Sequence, residues 1–183
     1  MEIKILDHEE KSVAEVAIRG PMVMKGYYNM PEETAKVLSD DGWFRTGDLG
    51  WIDGEYYLYL CGRAKNMIVT EGGKNVYPEE IENAFQLYYN DIEQITVQGY
   101  IMDAATKSEG IEALVYPADE LLKKLDVMRG DTTEDDSVSL AINDIVNTVN
   151  KTLQAYQRIS KVTILTEPLE MTTTRKVKRT YAK

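Results

Sequence analysis

The sequence predicts an α+β fold in two parts: a small β-rich, barrel-like subdomain, then a compact α+β domain with a three-stranded sheet and helices. Residues 2–60 are rich in β-branched and aromatic segments separated by glycine-containing turns, whereas the remainder mixes helix-period and strand-period segments. The mostly strand-like pattern gives way to a mixed pattern at the short polar segment from Gly62 to Asn66. We therefore place the two domains at residues 1–64 and 65–183. Such a connection suits a hinge better than a flexible tether.

The composition allows a packed core and disfavours several classes of partner. Of the 183 residues, 43% are hydrophobic and 28% are charged, and the net charge is −10. A general nucleic-acid binder needs a basic face, and an acidic membrane surface attracts cations, so neither partner is expected. No apolar run approaches the roughly 18 residues of a membrane-spanning helix. With one cysteine, Cys61, and one histidine, an internal disulfide is excluded and no metal site is expected.

The elements of the first part follow from local signals. Residues 13–18 form an apolar-rich strand candidate that ends at Arg19-Gly20-Pro21. The segment PEETAKVL, residues 31–38, predicts a short helix, because proline suits the first turn and acidic residues follow it. Asp53-Gly54, between apolar and aromatic segments, predicts a β-hairpin.

The second part mixes helices and strands. A short strand is predicted over 67–70, and Pro78 opens a helix with apolar residues at helical spacing. The later elements are strands over 94–101 and 111–116, helices over 117–128 and 138–153, and a strand over 161–165 before a basic tail. The apolar face of the longest helix is predicted to consist of Val138, Ala141, Ile145, Val149 and Leu153.

Several segments carry side chains or glycines suited to ligand binding. Gly72-Gly73-Lys74 fails the nucleotide P-loop pattern, because Ile68 and Asn75 occupy its required Gly and Ser/Thr places. A turn is favoured there, and a close approach to a ligand stays open. Thr46-Gly47-Asp48 offers a carboxylate that either accepts ribose hydroxyls or bonds its own turn.

Two basic features complete the set of candidate residues. Arg63 ends a predicted strand and is either a phosphate ligand or an ordinary surface arginine. The tail carries Arg175, Lys176, Lys178 and Arg179, which are either a solvated run or a strand with one lysine facing inward. An inward lysine would neutralise a transferring phosphoryl group.

Four motifs in this order resemble the C-terminal part of the adenylate-forming acyl-CoA synthetase superfamily, and the resemblance covers essentially the whole chain. EVAIRG…GYY resembles its "GE-x-x-x-x-G…GY" segment, with Ala14 replacing the first glycine. GWFRTGDLG resembles its "TGD" motif, and GRAKNMIVTEGGKNVYPEEIE resembles "GRxKxxI…GxNVxPxEIE". LEMTTTRKVKR resembles the catalytic-lysine motif, with Arg175 where family members commonly have glycine.

The resemblance implies a role for each candidate. Such enzymes join a carboxylate to ATP as an acyl-adenylate and then transfer the acyl group to coenzyme A. Lys176, rather than Lys178, would be the catalytic cation, and Asp48 and Arg63 would bind the nucleotide. Lys65 would be the hinge, and Gly72, Gly73 and Lys74 would line the coenzyme A channel. ATP/AMP, coenzyme A and Mg²⁺ are the implied cofactors, with the magnesium ligands outside this chain.

The resemblance also implies that the chain works inside a larger protein. Residues 1–64 would be the β-rich end of a large AMP-binding domain, residues 65–183 the lid domain, and the rest of the large domain would be the chain's partner. We expect the isolated chain to be inactive, with a long-chain fatty acid as the acid of the full enzyme. The expected location is the cytoplasm, with peripheral membrane association of the full-length protein as a further option. The alternatives are an adenylation domain that loads a carrier protein and a stand-alone binding module.

Overall fold

The chain divides into two compact units, Met1–Met67 and Ile68–Lys183. A computed structural model describes residues 1–6, 13–70, 72–103, 108–173 and 177–179. The predicted domains meet at residues 64 and 65, close to this division, and their assignment as domains stays a prediction. The predicted α+β class is confirmed: one unit is dominated by a β-sheet and the other combines a three-stranded sheet with helices.

In its described residues, the first unit has one four-stranded antiparallel sheet and one short α-helix. The strands are paired in chain order, so each packs beside its sequence neighbour. The helix α1 begins at Pro31, as the sequence predicts, and its first turn carries two acidic residues. The elements are β1 (Glu2–Ile5), β2 (Ala14–Arg19), α1 (Pro31–Val37), β3 (Phe44–Ile52) and β4 (Leu58–Arg63).

The predicted hairpin at Asp53-Gly54 joins β3 to β4, although the turn differs from a two-residue Asp-Gly turn. The Asp53 carboxylate accepts hydrogen bonds from the amides of Glu55 and Tyr57, both at 2.9 Å. The Tyr59 hydroxyl donates to the other Asp53 oxygen at 3.0 Å. The residue with positive φ is Tyr56, at 67°, so Asp53 organises the loop through its side chain.

The part of the second unit that the structure describes has a two-stranded hairpin, a three-stranded sheet and three α-helices. In the larger sheet, β8 is central: it pairs antiparallel with β7 and parallel with β9. The helices α3 and α4 form the crossover between the parallel strands, as such a pairing requires. The elements are β5 (Ile68–Val69), β6 (Asn75–Val76), α2 (Pro78–Asn83), β7 (Ile92–Asp103), β8 (Ser108–Pro117), α3 (Asp119–Leu125), α4 (Asp136–Asn150) and β9 (Lys161–Ile164).

The core of the second unit lies between the helices and one face of this sheet. Helix α4 is the main cover, and its buried side chains are Val138, Ile142, Val146 and Val149. The predicted apolar face is therefore partly wrong: Ile142 and Val146 are central, whereas the predicted Ala141, Ile145 and Leu153 lie at the margin of the core. Helix α3 is shorter than predicted, because Asp126 takes a left-handed conformation with φ of 59° and ends it.

On the opposite face of the sheet, Glu112 is a buried carboxylate in the central strand. It receives hydrogen bonds from Thr163 at 2.7 Å and Gln98 at 3.0 Å, and its ion pair with Lys161 measures 2.8 Å. Burial alone would raise the pKa of Glu112, but the hydrogen bonds from Lys161, Thr163 and Gln98 outweigh burial and leave the pKa below its ordinary value. The three strands are thus joined by side chains as well as by their backbones.

Across the described ranges, no helix combines the length and apolar character needed to cross a membrane.

Gly50 provides a test of packing in the first unit. A Cβ at this position would lie 2.5 Å from the carbonyl oxygen of Tyr59 and 3.2 Å from Val16, so alanine forces the sheet apart. We expect Gly50→Ala to lower the free energy of unfolding by about 1–3 kcal/mol, the usual cost of overpacking. Both tryptophans, Trp43 and Trp51, lie in this unit, so fluorescence-detected urea unfolding reports on it.

Gly54→Ala is the matched control for this experiment. An added Cβ at Gly54 meets nothing within 4 Å, so its unfolding should stay within about 0.5 kcal/mol of wild type. Equal unfolding free energies for the two variants would contradict the packing argument.

The Glu112 network predicts an acid-dependent stability. Because the folded pKa lies below its ordinary value of 4.5, the network stabilises the fold above that pH, and the contribution is lost as the pH falls through the folded pKa. Glu112→Gln should therefore be less stable at pH 7 and should lose less further stability on acidification. Urea midpoints followed by far-UV circular dichroism from pH 7 to about pH 3 measure both effects. The exposed Glu93→Gln should keep the wild-type profile, and an unchanged profile in Glu112→Gln would refute the claim.

Candidate active-site elements

The motif Thr46-Gly47-Asp48 lies within β3 on a β-bulge, and not in the tight turn that the sequence predicted. These three residues lie opposite the single residue Val16, between the cross-strand pairs on either side. Gly47 supports the bulge with φ of 72°, a conformation that glycine adopts at little cost. The Thr46 hydroxyl donates to the Val16 carbonyl at 2.8 Å and accepts from the Asp48 amide at 3.0 Å.

A neighbouring carboxylate completes the support of this bulge. Glu15, in β2, accepts a hydrogen bond from the Gly47 amide at 3.2 Å and pairs with Arg45. Its side chain is only 18% exposed, so the amide of the bulge is bonded away from bulk water. The sequence alone does not indicate the supporting role of Glu15 and Thr46, although they lie in the motifs EVAIRG and GWFRTGDLG.

Asp48 and Arg63, predicted separately as nucleotide ligands, lie side by side. They are cross-strand neighbours on β3 and β4, and Arg63 Nη1 donates to Asp48 Oδ1 at 2.7 Å. Both side chains remain accessible, at 32% and 46% exposure. Among the described residues Asp48 accepts only through Oδ1, so Oδ2 can accept a further donor. The pair therefore offers a hydroxyl acceptor beside a cation suited to an anion.

Lys65 occupies the connection at the end of the first unit. It is the middle residue of a short 3₁₀ turn, Ala64–Asn66, which follows β4 directly. Its side chain is exposed, and the first unit ends at Met67, two residues later. The structure thus puts the predicted hinge residue at a boundary between compact units, in an element of three residues.

Gly72, Gly73 and Lys74 lie at the exposed tip of the β5–β6 hairpin. The tip is closed by the Thr70 amide donating to the Lys74 carbonyl at 2.9 Å and the Gly73 amide donating to the Thr70 carbonyl at 2.8 Å. Gly73 has a φ of 69°, which explains glycine there. An added Cβ at Gly72 or Gly73 meets nothing within 4 Å, so the backbone of the tip is open to solvent.

Lys176, the predicted catalytic residue, lies outside the described residues, as does Arg175. The described residues on either side of it form a narrow antiparallel pairing. Met171 bridges to Val177, and the Lys178 amide donates to the Glu170 carbonyl at 2.7 Å. The Lys178 ammonium forms an exposed ion pair with Glu170 at 3.3 Å.

Arg179 ends this segment in a contact that sequence reasoning did not find. Its Nη2 lies 2.6 and 2.7 Å from the two carboxylate oxygens of Glu82, and its Nη1 donates to the Val97 carbonyl at 2.8 Å. Glu82 also accepts from the Val97 amide at 2.7 Å. Burial raises the pKa of Glu82, and the charge of Arg179 and the Val97 amide offset that effect only in part. One feature of the sequence could have indicated this contact. Glu82, the last residue of PEEIE, is a charged residue directly after the buried Ile81.

The fold matches that of the C-terminal domain of adenylate-forming enzymes. The o-succinylbenzoate–CoA synthetase of Bacillus subtilis, solved with the acyl-adenylate intermediate OSB-AMP, matches 96% of this chain with a TM-score of 0.72 and 26% identity. An amide bond synthetase of Marinactinospora thermotolerans matches 96% of the chain with a TM-score of 0.68 and 28% identity.

Curated proteins with similar sequences include an acyl-activating enzyme and acyl-CoA ligases. The chain is 34% identical, over 97% of its length, to the probable acyl-activating enzyme 16, chloroplastic, of Arabidopsis thaliana. It is 45% identical, over 55% of its length, to a long-chain-fatty-acid–CoA ligase of Bacillus subtilis, and 45% identical, over 57%, to a feruloyl-CoA synthase of Amycolatopsis. No family model matches the chain. The chain matches the C-terminal part of AMP-binding, adenylate-forming acyl-CoA ligases.

The chain spans a minor share of each of these proteins. It covers 27% of the Arabidopsis protein, 17% of the Bacillus ligase and 20% of the feruloyl-CoA synthase. It covers 32% of each of the two solved chains.

Proposed function

We propose that this chain is the C-terminal part of an AMP-forming acid–thiol ligase. The enzyme would activate a carboxylic acid with ATP to an acyl-adenylate, releasing pyrophosphate, and then transfer the acyl group to the thiol of coenzyme A. The observation that carries the proposal is the 34% identity to an acyl-activating enzyme over 97% of the chain. Because the chain covers 27% of that relative, the complete enzyme is the unit that would have the activity, and the isolated chain is expected to be inactive.

Asp48 and Arg63 are the proposed nucleotide-binding residues. The 2.7 Å contact between them holds the carboxylate, and the open Oδ2 of Asp48 would accept a ribose hydroxyl. Arg63 would contact the same ribose or the phosphate through its other guanidinium nitrogens. The bulge at Gly47 supports this assignment, because bulges re-aim side chains beside active sites.

Lys176 is the proposed catalytic cation of the first half-reaction. There the substrate carboxylate approaches the α-phosphate of ATP, and two anions repel each other unless a positive charge lies between them. A lysine held at that position would stabilise the transition state by several kcal/mol, about the size of other preorganised electrostatic contributions. Its place in the motif TTTRKVKR supports this role.

Lys65 and the tip of the β5–β6 hairpin are proposed to serve the second half-reaction. Lys65 lies in a 3₁₀ turn two residues before the division between the units, which suits a hinge. Gly72, Gly73 and Lys74 would line the channel for coenzyme A, and the open space around both glycines supports a close approach. Mg²⁺ would accompany ATP, with its ligands contributed by the remainder of the enzyme.

A long-chain fatty acid is the proposed carboxylate, supported by the 45% identity to the Bacillus subtilis long-chain-fatty-acid–CoA ligase. Relatives of similar identity are named for other acids, including a feruloyl-CoA synthase and, at 43%, an indoleacetate–CoA ligase. The identity of the acid therefore needs a direct comparison.

Carboxylate-dependent ATP–pyrophosphate exchange in the complete enzyme provides that comparison. We expect palmitate to support exchange with a kcat/KM at least about tenfold above ferulate, indoleacetate and 2-succinylbenzoate, a transition-state difference of about 1.4 kcal/mol. Omitting the acid gives the background rate. A preference for ferulate would overturn the fatty-acid assignment and keep the ligase, whereas no exchange with any acid would overturn the ligase proposal.

Replacing Lys176 separates the two half-reactions. In the complete enzyme, Lys176→Ala should lower the exchange rate at least about 100-fold, because the approach of the two anions loses its counter-charge. Thioester formation from preformed acyl-adenylate should fall by less than about threefold. Lys178→Ala is the matched control, since Lys178 pairs with Glu170 at the surface, and it should keep both rates. Equal loss of both half-reactions in Lys176→Ala would refute the assigned role.

A further inference from the structure

The described parts of the C-terminal segment, residues 169–173 and 177–179, contact β7 at two places. At one end, the Leu169 amide donates to the side-chain oxygen of Gln94, in β7, at 2.6 Å. At the other end, the Arg179 guanidinium donates to the Val97 carbonyl at 2.8 Å. Between these contacts, Met171 and Val177 form an isolated antiparallel bridge.

The contact at Val97 takes the place of a neighbouring strand. In the sheet order β7-β8-β9, β7 lies at one edge, so among the described residues no strand pairs with its outer amides and carbonyls. The Val97 amide donates to Glu82 at 2.7 Å and its carbonyl accepts from Arg179. The carboxylate and the guanidinium, bonded to each other, thus satisfy both backbone groups of one residue.

The charged groups of this contact are largely buried, so each of them needs the other as a partner. The side chains of Arg179 and Glu82 are 18% and 19% exposed. A second carboxylate, Glu79, lies 3.7 Å from the same guanidinium. Removing the arginine would leave the Glu82 carboxylate without this counter-charge where water is scarce, so separating the pair is costly.

We infer that Glu82 and Arg179 are a positioning pair for the lysine motif, which hold the segment that carries Lys176 for the adenylate-forming step. The inference rests on the role proposed for Lys176. Three residues of chain span at most about 10–11 Å, so fixing Arg179 confines the residues that precede it. Neither side chain is assigned a contact with substrate: Glu82 acts through Arg179, and Arg179 acts through the backbone.

Positioning predicts an effect on one half-reaction, whereas a merely structural role predicts an effect on both. A misplaced cation lowers kcat for adenylate formation without changing the contacts of Asp48 and Arg63, so KM for ATP should be conserved. Coenzyme A transfer from preformed acyl-adenylate, which needs no charge at Lys176 in the proposed mechanism, should persist.

The test uses Glu82→Gln and Arg179→Lys in the complete enzyme. Glu82→Gln keeps an oxygen that can accept from the Val97 amide but removes the negative charge. Arg179→Lys keeps the positive charge but removes the planar set of guanidinium donors that binds Glu82 and Val97 together. Both should lower kcat of palmitate-dependent ATP–pyrophosphate exchange at least about tenfold, with KM for ATP within about twofold and thioester formation from preformed acyl-adenylate within about threefold. Glu170→Gln, which alters an exposed ion pair of the same segment, is the matched control and should keep wild-type values.

Amide hydrogen exchange in the 183-residue chain gives a readout independent of activity. The Lys178 amide, bonded to the Glu170 carbonyl at 2.7 Å, should exchange at least about tenfold faster in Glu82→Gln, because local opening becomes easier. Unchanged exchange of that amide, or equal loss of both half-reactions with a lowered melting temperature, would overturn the positioning role. Absence of carboxylate-dependent ATP–pyrophosphate exchange in the wild-type enzyme would instead overturn the proposed ligase function.

Discussion

The free edge of β7 is the constraint around which the second unit is organised. A strand with neighbours on one side only must place its remaining amides and carbonyls in water or bond them to something else. Here Glu82, from α2, and Arg179, from the far end of the chain, bond the backbone of Val97. One residue of the strand therefore connects a helix, a sheet and the C-terminal segment. The ion pair also favours this docking position, because Arg179 and Glu82 are only 18% and 19% exposed and are costly to separate.

The first unit uses a backbone distortion to present its charged pair. The bulge at Gly47 interrupts the regular ladder, and the Thr46 hydroxyl replaces a lost backbone contact by bonding the Val16 carbonyl and the Asp48 amide. Asp48 then faces Arg63 on a strand of a sheet rather than on a loop, which limits the motion of the pair. In both units, polar groups with candidate roles are held by hydrogen bonds to strand backbones.

Local signals predicted the elements well, and long-range pairings explain the misses. Pro31 and Pro78 each open a helix, and Asp53 forms its hairpin, because these effects depend on a few neighbouring residues. Motifs indicate Asp48 and Arg63 one at a time, and their role as nucleotide ligands stays a prediction. The contact between them depends on the register of β3 with β4, which no local motif gives. The Glu82–Arg179 pair joins residues 97 positions apart, and no periodicity signals such a contact. The role of Lys176 stays a prediction, since that residue lies outside the described ranges.

The separation of Val97 and Arg179 has a consequence for synthesis of the chain. The two residues are 82 positions apart, so at about 5–20 residues per second the ribosome needs about 4–16 s to deliver the arginine after the strand. During that interval β7 and β8 can pair as a hairpin, while the outer side of a 12-residue strand stays uncovered. An uncovered edge is a template for pairing with other chains, so the nascent protein is more exposed to aggregation until Arg179 has emerged.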